Sequence, residues 1–264
     1  MRMRVRALPI MVDTRAGEGP PLVLCNGIGA NLELLEPFVD ALDAQQGRRV
    51  PTIRFDVPGA GGSPATVLPR RMRWLAGLLR DLVGRLGHEQ VDVLGISWGG
   101  ALAQEFARRN PALCRRIVLC ATSMGMAMVP ARPEVLLTLA SPLRYFRPSR
   151  MRLLGARTYG GGFGQDPELA ARFANATRAP GVRGYYWQIV AGAGWTSAHY
   201  LHRLRQPVLV VAGDDDPIIP LVNARLMAGL LREGTLHVVR GGGHLALLTH
   251  ADELAPLVHR FLAE

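Results

Sequence analysis

The stretch Val91-Asp92-Val93-Leu94-Gly95-Ile96-Ser97-Trp98-Gly99-Gly100 joins a short apolar run to a G-x-S-x-G motif. Apolar runs without alternation are typical of strands that are covered on both faces. A helical pattern follows over 99–109. Strand, motif and helix in this order predict a sharp turn, whose flanking glycines let strand and helix approach closely. Ser97 would then be held exposed at the carboxyl end of a sheet.

Similar apolar runs recur on both sides of this stretch. The strands that they predict cover 21–25, 52–55, 117–121, 207–212 and 236–239. Further helical patterns lie near 71–86, 219–231 and 251–263. Strands that alternate with helices predict an α/β fold, with a mostly parallel central sheet and helices on both faces.

The alternation stops between about Ser123 and Leu204. This stretch shows no clear buried strand, and a structureless loop of that length would be unusual. We therefore expect a mainly helical cap, or lid, over 123–204, inserted between two strands. The α/β core would then comprise 1–122 and 205–264.

A serine nucleophile needs a general base, and the base needs an orienting carboxylate. Gly213-Asp214-Asp215-Asp216-Pro217 directly follows a predicted strand, and its spacing favours Asp216 over the two preceding aspartates. The strand ending at Ala121 is followed by no acidic residue. Among seven histidines, His244 is the predicted base, because it follows the last strand and precedes the last helix. We expect the glycine run 241–243 to make this loop mobile.

A glycine-rich loop, Asn26-Gly27-Ile28-Gly29-Ala30-Asn31, follows the first central strand. Such a loop can aim a backbone N–H at an ester carbonyl oxygen. The expected oxyanion-hole donors are the amides of Ile28 and Trp98, the second of which directly follows the nucleophile. We expect the Asn26 side chain to brace the loop, and we count it among the substrate-binding candidates.

Together these residues resemble the α/β-hydrolase family over nearly the whole chain. Several segments, some of them in the cap, also resemble the intracellular medium-chain-length polyhydroxyalkanoate depolymerases: Phe55-Asp56-Val57-Pro58-Gly59, Tyr159-Gly160-Gly161-Gly162-Phe163, Gly184-Tyr185-Tyr186-Trp187-Gln188 and Gly194-Trp195-Thr196-Ser197. The resemblance implies hydrolysis of poly(3-hydroxyalkanoate) through an acyl-enzyme on Ser97. It puts Ser97, Asp216 and His244 at the positions of the family's triad.

The cap should supply an apolar pocket for the alkyl side chain of the substrate. The candidate residues for this pocket are Met124, Met126, Met128, Tyr185, Tyr186, Trp187, Ile189 and Trp195, each of which could instead belong to the cap core. No His/Cys/Asp cluster has the spacing of a zinc site, and the proposed chemistry needs no metal or organic cofactor.

Other function classes stay open. A small-molecule carboxylesterase or thioesterase would use the same triad, and a haloperoxidase-like side activity would use the same residues. A non-catalytic binding protein would not need an intact triad. An epoxide hydrolase or dehalogenase would need Asp at position 97, so we set that class aside.

The charge of the chain is strongly basic. Its 264 residues include 31 basic and 21 acidic residues, a formal net charge of +10, and every basic residue is arginine. Residues 131–157 hold six arginines (Arg132, Arg144, Arg147, Arg150, Arg152 and Arg157) against one acid, Glu134. We expect this segment to dock on a polyester granule surface or an anionic coat. Because nothing resembles a base-reading element, nucleic acid is not an expected partner.

The three cysteines, Cys25, Cys114 and Cys120, form no CxxC pair and no even disulfide framework. They favour a reducing compartment, so we expect a cytoplasmic protein, and the granule docking proposed for the basic segment would occur there. No apolar run reaches 18 residues, so we expect no transmembrane segment. The apolar stretch near the first residues is too short for a secretory signal. The number of subunits stays open.

Overall fold

The structure, a computed structural model, describes residues 1–140, 158–164 and 181–264. The strands in these ranges are β1 (Arg2–Val5), β2 (Leu8–Arg15), β3 (Leu22–Cys25), β4 (Thr52–Phe55), β5 (Val91–Ile96), β6 (Cys114–Cys120), β7 (Val208–Gly213) and β8 (Gly234–Val239). They form one sheet in the order β1-β2-β4-β3-β5-β6-β7-β8. The pairs β1–β2 and β2–β4 are antiparallel, and all later pairs are parallel.

The helices in the same ranges are α1 (Glu36–Asp43), α2 (Met72–Arg85), α3 (Trp98–Arg109), α4 (Pro133–Leu139), α5 (Val182–Gly192), α6 (Leu221–Leu230), α7 (Ala246–Thr249) and α8 (Ala251–Ala263). Single turns of 3-10 helix cover Leu32–Leu35, Gly161–Gly164 and Leu201–Arg203. None of these described helices is both long enough and apolar enough to cross a membrane.

Helices cover both faces of the sheet. On one face α1 and α8 pack together, with Phe38 and Leu254 in a single apolar cluster. On the other face α2, α3 and α6 contribute Leu79, Phe106 and Met227 to a second cluster. This double cover explains why β3, β4, β5 and β7 are buried at every position and why their sequences are largely continuous apolar runs.

The predicted α/β fold with a mostly parallel sheet is confirmed. The predicted strands correspond to β3–β8, with ends that differ by a few residues. The prediction missed β1, β2 and α1. β1 alternates arginine with apolar residues at an exposed edge, and β2 mixes Asp13 and Arg15 into its length, so neither has the continuous apolar run of a central strand. α1 has only eight residues and begins with a proline in its first turn.

The chain leaving β6 pairs with the chain returning to β7. Gly125 and Thr196 form an isolated antiparallel bridge, and the Ser197 amide donates to the Met124 carbonyl at 3.2 Å. The described part of the intervening segment contains α4 and α5. The boundaries 123 and 204 of the predicted cap flank this pairing, and they stay a prediction.

Helix α5 rests directly on the core. Gly184 packs so closely against the backbone of Gly59 that a Cβ on Gly184 would lie 2.0 Å from the Gly59 oxygen. One turn later, the Trp187 indole Nε1–H donates to the Thr66 carbonyl at 3.0 Å. Both partners belong to the loop after β4. Helix α5 is therefore fixed to the core by main-chain contact as well as by side chains.

We predict that Gly184→Ala loosens this contact. The added methyl group would overlap backbone atoms, which cannot move as a flexible side chain can, so we expect the free energy of unfolding to fall by about 1–3 kcal/mol. Gly181→Ala, at the start of the same helix, is the matched control because a Cβ there meets nothing within 4 Å. Chemical denaturation of both variants measures the effect. Equal stability of the two variants would contradict the proposed packing.

Candidate active site

Ser97 lies at the turn between β5 and α3 in a strained backbone conformation. Its φ is +54° and its ψ is −120°, which non-glycine residues rarely adopt and which costs about 1–3 kcal/mol. The neighbouring glycines allow the turn. A Cβ on Gly99 would lie 2.0 Å from the Cys25 oxygen, and one on Gly95 would lie 2.4 Å from the Gly99 oxygen. The motif therefore produces the sharp strand-to-helix turn that its sequence predicts.

Contacts with β6 and the loop after it hold the Ser97 backbone in place. Its amide donates to the Cys120 carbonyl at 2.9 Å. Its own carbonyl accepts a hydrogen bond of 2.7 Å from the Thr122 hydroxyl. Both the amide and the carbonyl of Ser97 are therefore hydrogen-bonded, the first to the end of β6 and the second to the loop after it.

His244 and Asp216 form a buried pair. The His244 Nδ1 lies 2.9 Å from the Asp216 Oδ2, and the two side chains are 6% and 0% exposed. The second carboxylate oxygen, Oδ1, accepts from the amides of Ile218 and Ile219 at 2.8 and 2.9 Å. These three donors stabilise the carboxylate and favour the tautomer with its proton on Nδ1. His244 Nε2 is then unprotonated and can act as a base.

The other two aspartates of the run have different partners. Asp214 accepts from the Gly241 amide, and Asp215 accepts from the Gly161 amide, both at 2.7 Å. Both are exposed, whereas Asp216 is buried. Of the three carboxylates, the structure brings Asp216 to His244.

Two of the three glycines before His244, Gly242 and Gly243, are closely packed, whereas a Cβ on Gly241 would meet nothing within 4 Å. A Cβ on Gly243 would lie 2.3 Å from the Tyr159 oxygen, and one on Gly213 would lie 1.9 Å from the Gly242 oxygen. The His244 amide donates to the Tyr159 carbonyl at 2.6 Å. These glycines therefore allow close contact between loops, a role that the prediction of a mobile loop did not include.

The loop after β3 forms a tight turn beside Ser97. The Ala30 amide donates to the Gly27 carbonyl at 3.2 Å, and Gly29 has a φ of +74°, as the third residue of a type II turn requires. The Asn26 side chain donates to the Asn31 carbonyl at 2.6 Å and so braces the loop. Ile28 is the second residue of this turn.

Trp98, the other expected oxyanion donor, is the first residue of α3. Amides in the first turn of a helix have no acceptor within the helix and carry its partial positive charge. Developing negative charge next to Ser97 would be stabilised there.

Ser97, His244 and the turn share one cavity of about 60 Å³. The rest of its described lining is mostly apolar. The lining residues are Gly27, Ile28, Ala30, Leu34, Ile96, Ser97, Leu139, Tyr159, Ile218, His244 and Leu245. Leu139 and Tyr159 come from the segment between β6 and β7, so this segment covers one side of the cavity.

The structure places the predicted cap-pocket residues elsewhere. Met124 and Tyr185 are buried, whereas Met126 and Tyr186 are exposed. The Tyr185 hydroxyl donates to the Leu139 carbonyl at 2.5 Å. The Trp187 indole contacts Thr66, and the indole of Trp195 donates to the Glu105 carboxylate at 3.2 Å. The described lining of the cavity contains none of these side chains, and Met128, Ile189 and Asn26 are also outside it.

The described ranges offer few side chains for metal-dependent or cysteine-based catalysis. No cluster of three or more His, Cys, Asp or Glu residues could hold a metal ion there. All three cysteines are buried and free. Burial raises the pKa of the Cys120 thiol to about 12 and also raises those of Cys25 and Cys114, so none offers a thiolate nucleophile at neutral pH.

Comparison with known proteins agrees with this geometry. The profile of the alpha/beta hydrolase fold family matches residues 20–251. The chain belongs to the alpha/beta hydrolase family. It is 50% identical to a poly(3-hydroxyalkanoate) depolymerase of Ectopseudomonas oleovorans over 92% of this chain and 84% of that protein. It is also 29% identical to a pimeloyl-[acyl-carrier protein] methyl ester esterase of Aromatoleum aromaticum, over 90% of this chain and 96% of that protein.

Solved structures of alpha/beta hydrolases share the fold at lower identity. An enol-lactonase from Burkholderia xenovorans LB400 superposes with a TM-score of 0.85 at 21% identity and covers 100% of both chains. An esterase from Exiguobacterium antarcticum gives 0.84 at 20% identity, covering 100% of this chain and 99% of that one. At these identities the likeness shows the fold alone.

Several residues that support this alpha/beta hydrolase site were not among the predicted site residues. Thr122 and Tyr159 hold the backbones of Ser97 and His244. Asp56, buried in the loop after β4, accepts from the amides of Leu32 and Gly62 at 2.8 and 2.7 Å. Only Asp56 carried a signal, since it directly follows a predicted strand at the same edge of the sheet as Ser97.

We predict that Asp216→Asn lowers kcat for ester hydrolysis by about 10⁴-fold, because an amide disfavours the required tautomer and does not stabilise the imidazolium. Asp214→Asn is the matched control, since it changes the same group two residues away, where an amide oxygen can still accept from Gly241. We expect the control to stay within about threefold of wild type. Steady-state kinetics on a nitrophenyl ester decides between the two. A larger loss in Asp214→Asn than in Asp216→Asn would mean that the wrong aspartate has been chosen.

Proposed function

We propose that this protein is a serine ester hydrolase that cleaves the ester bonds of poly(3-hydroxyalkanoate). The observation that carries the proposal is one cavity in which a strained Ser97 lies with the His244–Asp216 pair. The 50% identity to a poly(3-hydroxyalkanoate) depolymerase over 92% of the chain supports the choice of a polyester substrate.

The first half-reaction forms an acyl-enzyme. His244 Nε2 takes the proton of the Ser97 hydroxyl, and the serine oxygen attacks the carbonyl carbon of a 3-hydroxyacyl unit. Asp216 stabilises the imidazolium that results. When the tetrahedral intermediate collapses, His244 returns the proton to the alcohol oxygen of the leaving polyester chain, and the C–O bond breaks.

Water completes the reaction. His244 takes a proton from a water molecule, whose oxygen attacks the acyl carbon. His244 then returns the proton to the Ser97 oxygen as the acyl C–O bond breaks, which releases a carboxylic acid and free Ser97. In both half-reactions the amides of Ile28 and Trp98 stabilise the negative charge on the former carbonyl oxygen. One such donor contributes about 3 kcal/mol to the transition state.

The lining of the cavity supports a substrate with an alkyl side chain. Leu34, Leu139, Ile218 and Leu245 present apolar surface beside Ser97. Such surface favours an apolar group over water by about 25 cal/mol per Å² that is buried. We therefore propose that medium-chain-length side chains fit this site.

A small-molecule esterase is the second candidate function. The 29% identity to a pimeloyl-[acyl-carrier protein] methyl ester esterase favours it, because that protein matches over nearly its whole length. Such an enzyme, or a thioesterase, would use the same Ser97, His244 and Asp216. The two functions differ in their substrate: a depolymerase cleaves the polymer, whereas a small-molecule esterase cleaves only free esters.

A turbidity assay on a medium-chain polyhydroxyalkanoate latex tests the first function. We expect the wild-type protein to clear the latex and to hydrolyse nitrophenyl octanoate faster than nitrophenyl acetate. Ser97→Ala should lower both activities by at least about 10⁴-fold, because the nucleophile is lost. Ester turnover without clearing would leave the small-molecule esterase. Activity retained in Ser97→Ala would refute the acyl-enzyme mechanism.

We further propose that the basic segment 131–157 attaches the protein to polyester granules in the cytoplasm. Arg132 and Glu134 lie in the described residues, whereas Arg144, Arg147, Arg150, Arg152 and Arg157 lie outside them. The support is the excess of arginine within one segment of the predicted cap. An excess of positive charge attracts anionic coats, and the attraction weakens with salt.

Co-sedimentation with isolated granules at increasing salt tests this attachment. Reversal of Arg144, Arg147 and Arg150 to Glu should lower granule binding at least fivefold at low salt. Reversal of Arg225, Arg232 and Arg240, which are exposed residues outside the segment, changes the net charge equally and serves as the control. Binding that is insensitive to salt, or equal losses in both triple variants, would refute a specific role for the segment.

A further inference from the structure

Gln188, in helix α5, contacts both parts of the expected oxyanion hole. Its side chain is buried, with the residue only 2% exposed. The side-chain oxygen accepts a hydrogen bond from the Gly29 amide at 3.0 Å. Its main-chain carbonyl accepts one from the Trp98 indole Nε1–H at 2.9 Å. One residue of the predicted cap is therefore bonded to the turn that contains Ile28 and to the residue after Ser97.

The bond to Gly29 acts on the conformation of the turn. In a type II turn the central peptide, here Ile28–Gly29, is rotated by about half a turn relative to a type I turn. An acceptor at the Gly29 amide favours the rotated form, which the positive φ of Gly29 shows to be present. The Ile28 N–H belongs to the preceding peptide, so the bond to Gly29 does not turn that N–H. It holds the turn itself, and with it the Ile28 backbone, in place beside Ser97.

Of the two polar atoms in the Gln188 side chain, the oxygen is the one that makes a hydrogen bond to the described residues. The nitrogen, Nε2, is buried and has no hydrogen-bond partner among the described residues. A buried donor without a partner destabilises a fold, and an apolar side chain of the same size would avoid this cost. The amide at position 188 therefore brings a net benefit through its oxygen, which contacts Gly29.

We propose that Gln188 is a positioning residue that holds the two oxyanion-hole donors, Ile28 and Trp98, in register with Ser97. The predicted cap then takes part in hydrolysis through α5 and does more than cover the substrate. This inference rests on the proposed serine ester hydrolysis, because it concerns the stabilisation of that reaction's oxyanion.

Gln188→Met tests the proposal, because methionine keeps the volume and removes the acceptor. We expect kcat for nitrophenyl octanoate to fall about 30-fold while KM changes less than threefold, since the oxyanion exists only in the transition state. Binding of an alkyl trifluoromethyl ketone, which forms a tetrahedral adduct with the serine, should weaken by the same factor as kcat. If Gln188 had only a structural role, the variant would lose stability, but its losses of kcat and of ketone affinity would not be equal.

Arg71→Gln is the matched control. Arg71 donates to the carbonyls of Val190 and Ala193 at 3.3 and 2.8 Å, so it joins the last turn of α5 and the residue after it to the residue that precedes α2. We expect its kcat and ketone affinity to stay within twofold of wild type. Trp98→Phe keeps the Trp98 amide and removes the bond to the Gln188 carbonyl together with part of the ring that packs on the core. It should lower kcat about fivefold, and it tests the proposal if Gln188→Met does not fold.

The outcomes separate this inference from the proposed function. Wild-type kcat and ketone affinity in Gln188→Met, or in Trp98→Phe if the first variant is unfolded, overturn the inference alone. Equal losses in Arg71→Gln also overturn it, because they would show a general effect of α5 docking. If the wild-type protein hydrolyses no ester, the proposed function fails and this inference fails with it.

Discussion

The close contact between β5 and α3 at Ser97 is the constraint on which the rest of the site depends. Ser97 has a positive φ, and the strain is tolerated because Gly95 and Gly99 let the two elements approach to distances that no side chain would permit. The same contact gives Trp98 the first position of the helix. A single local distortion thus leaves Ser97 only partly buried and places the Trp98 amide, the predicted oxyanion donor, beside it.

The parallel sheet supplies the other members of the site at the same edge. β5, β6, β7 and β8 are neighbours in this order, so the loops after them all emerge at their carboxyl ends. Ser97 follows the first of these strands, Asp216 the third and His244 the fourth. Residues that are far apart in the chain therefore come together on short loops, provided that each loop keeps one conformation. Main-chain amides hold the loops. Those of Ile218 and Ile219 donate to the Asp216 carboxylate, and that of His244 donates to the Tyr159 carbonyl.

The features that the sequence predicted well are those with local causes. Buried strands show as apolar runs, and the turn at Ser97 shows as a motif between a strand and a helix. The glycines before His244 were harder to interpret, because flexibility and close packing both require glycine. Only the neighbouring backbone of Tyr159 distinguishes the two. The side chains of the cavity were predicted poorly, since apolar residues such as Met124 and Trp195 serve a core and a pocket equally well in a sequence.

The contact of Gln188 with Gly29 is an example of a feature of the site that sequence patterns do not predict. The Gln188 side chain meets Gly29 across 159 positions of chain, and nothing in the local pattern of α5 marks position 188 as different from its neighbours. The contact exists because Gly184, one turn earlier, lets the helix rest on the backbone of Gly59. Packing of one glycine thereby decides whether a distant amide can reach the oxyanion turn. The contact of α5 with the core therefore has two consequences. It stabilises the docking of the helix, and it brings Gln188 to Gly29 and Trp98.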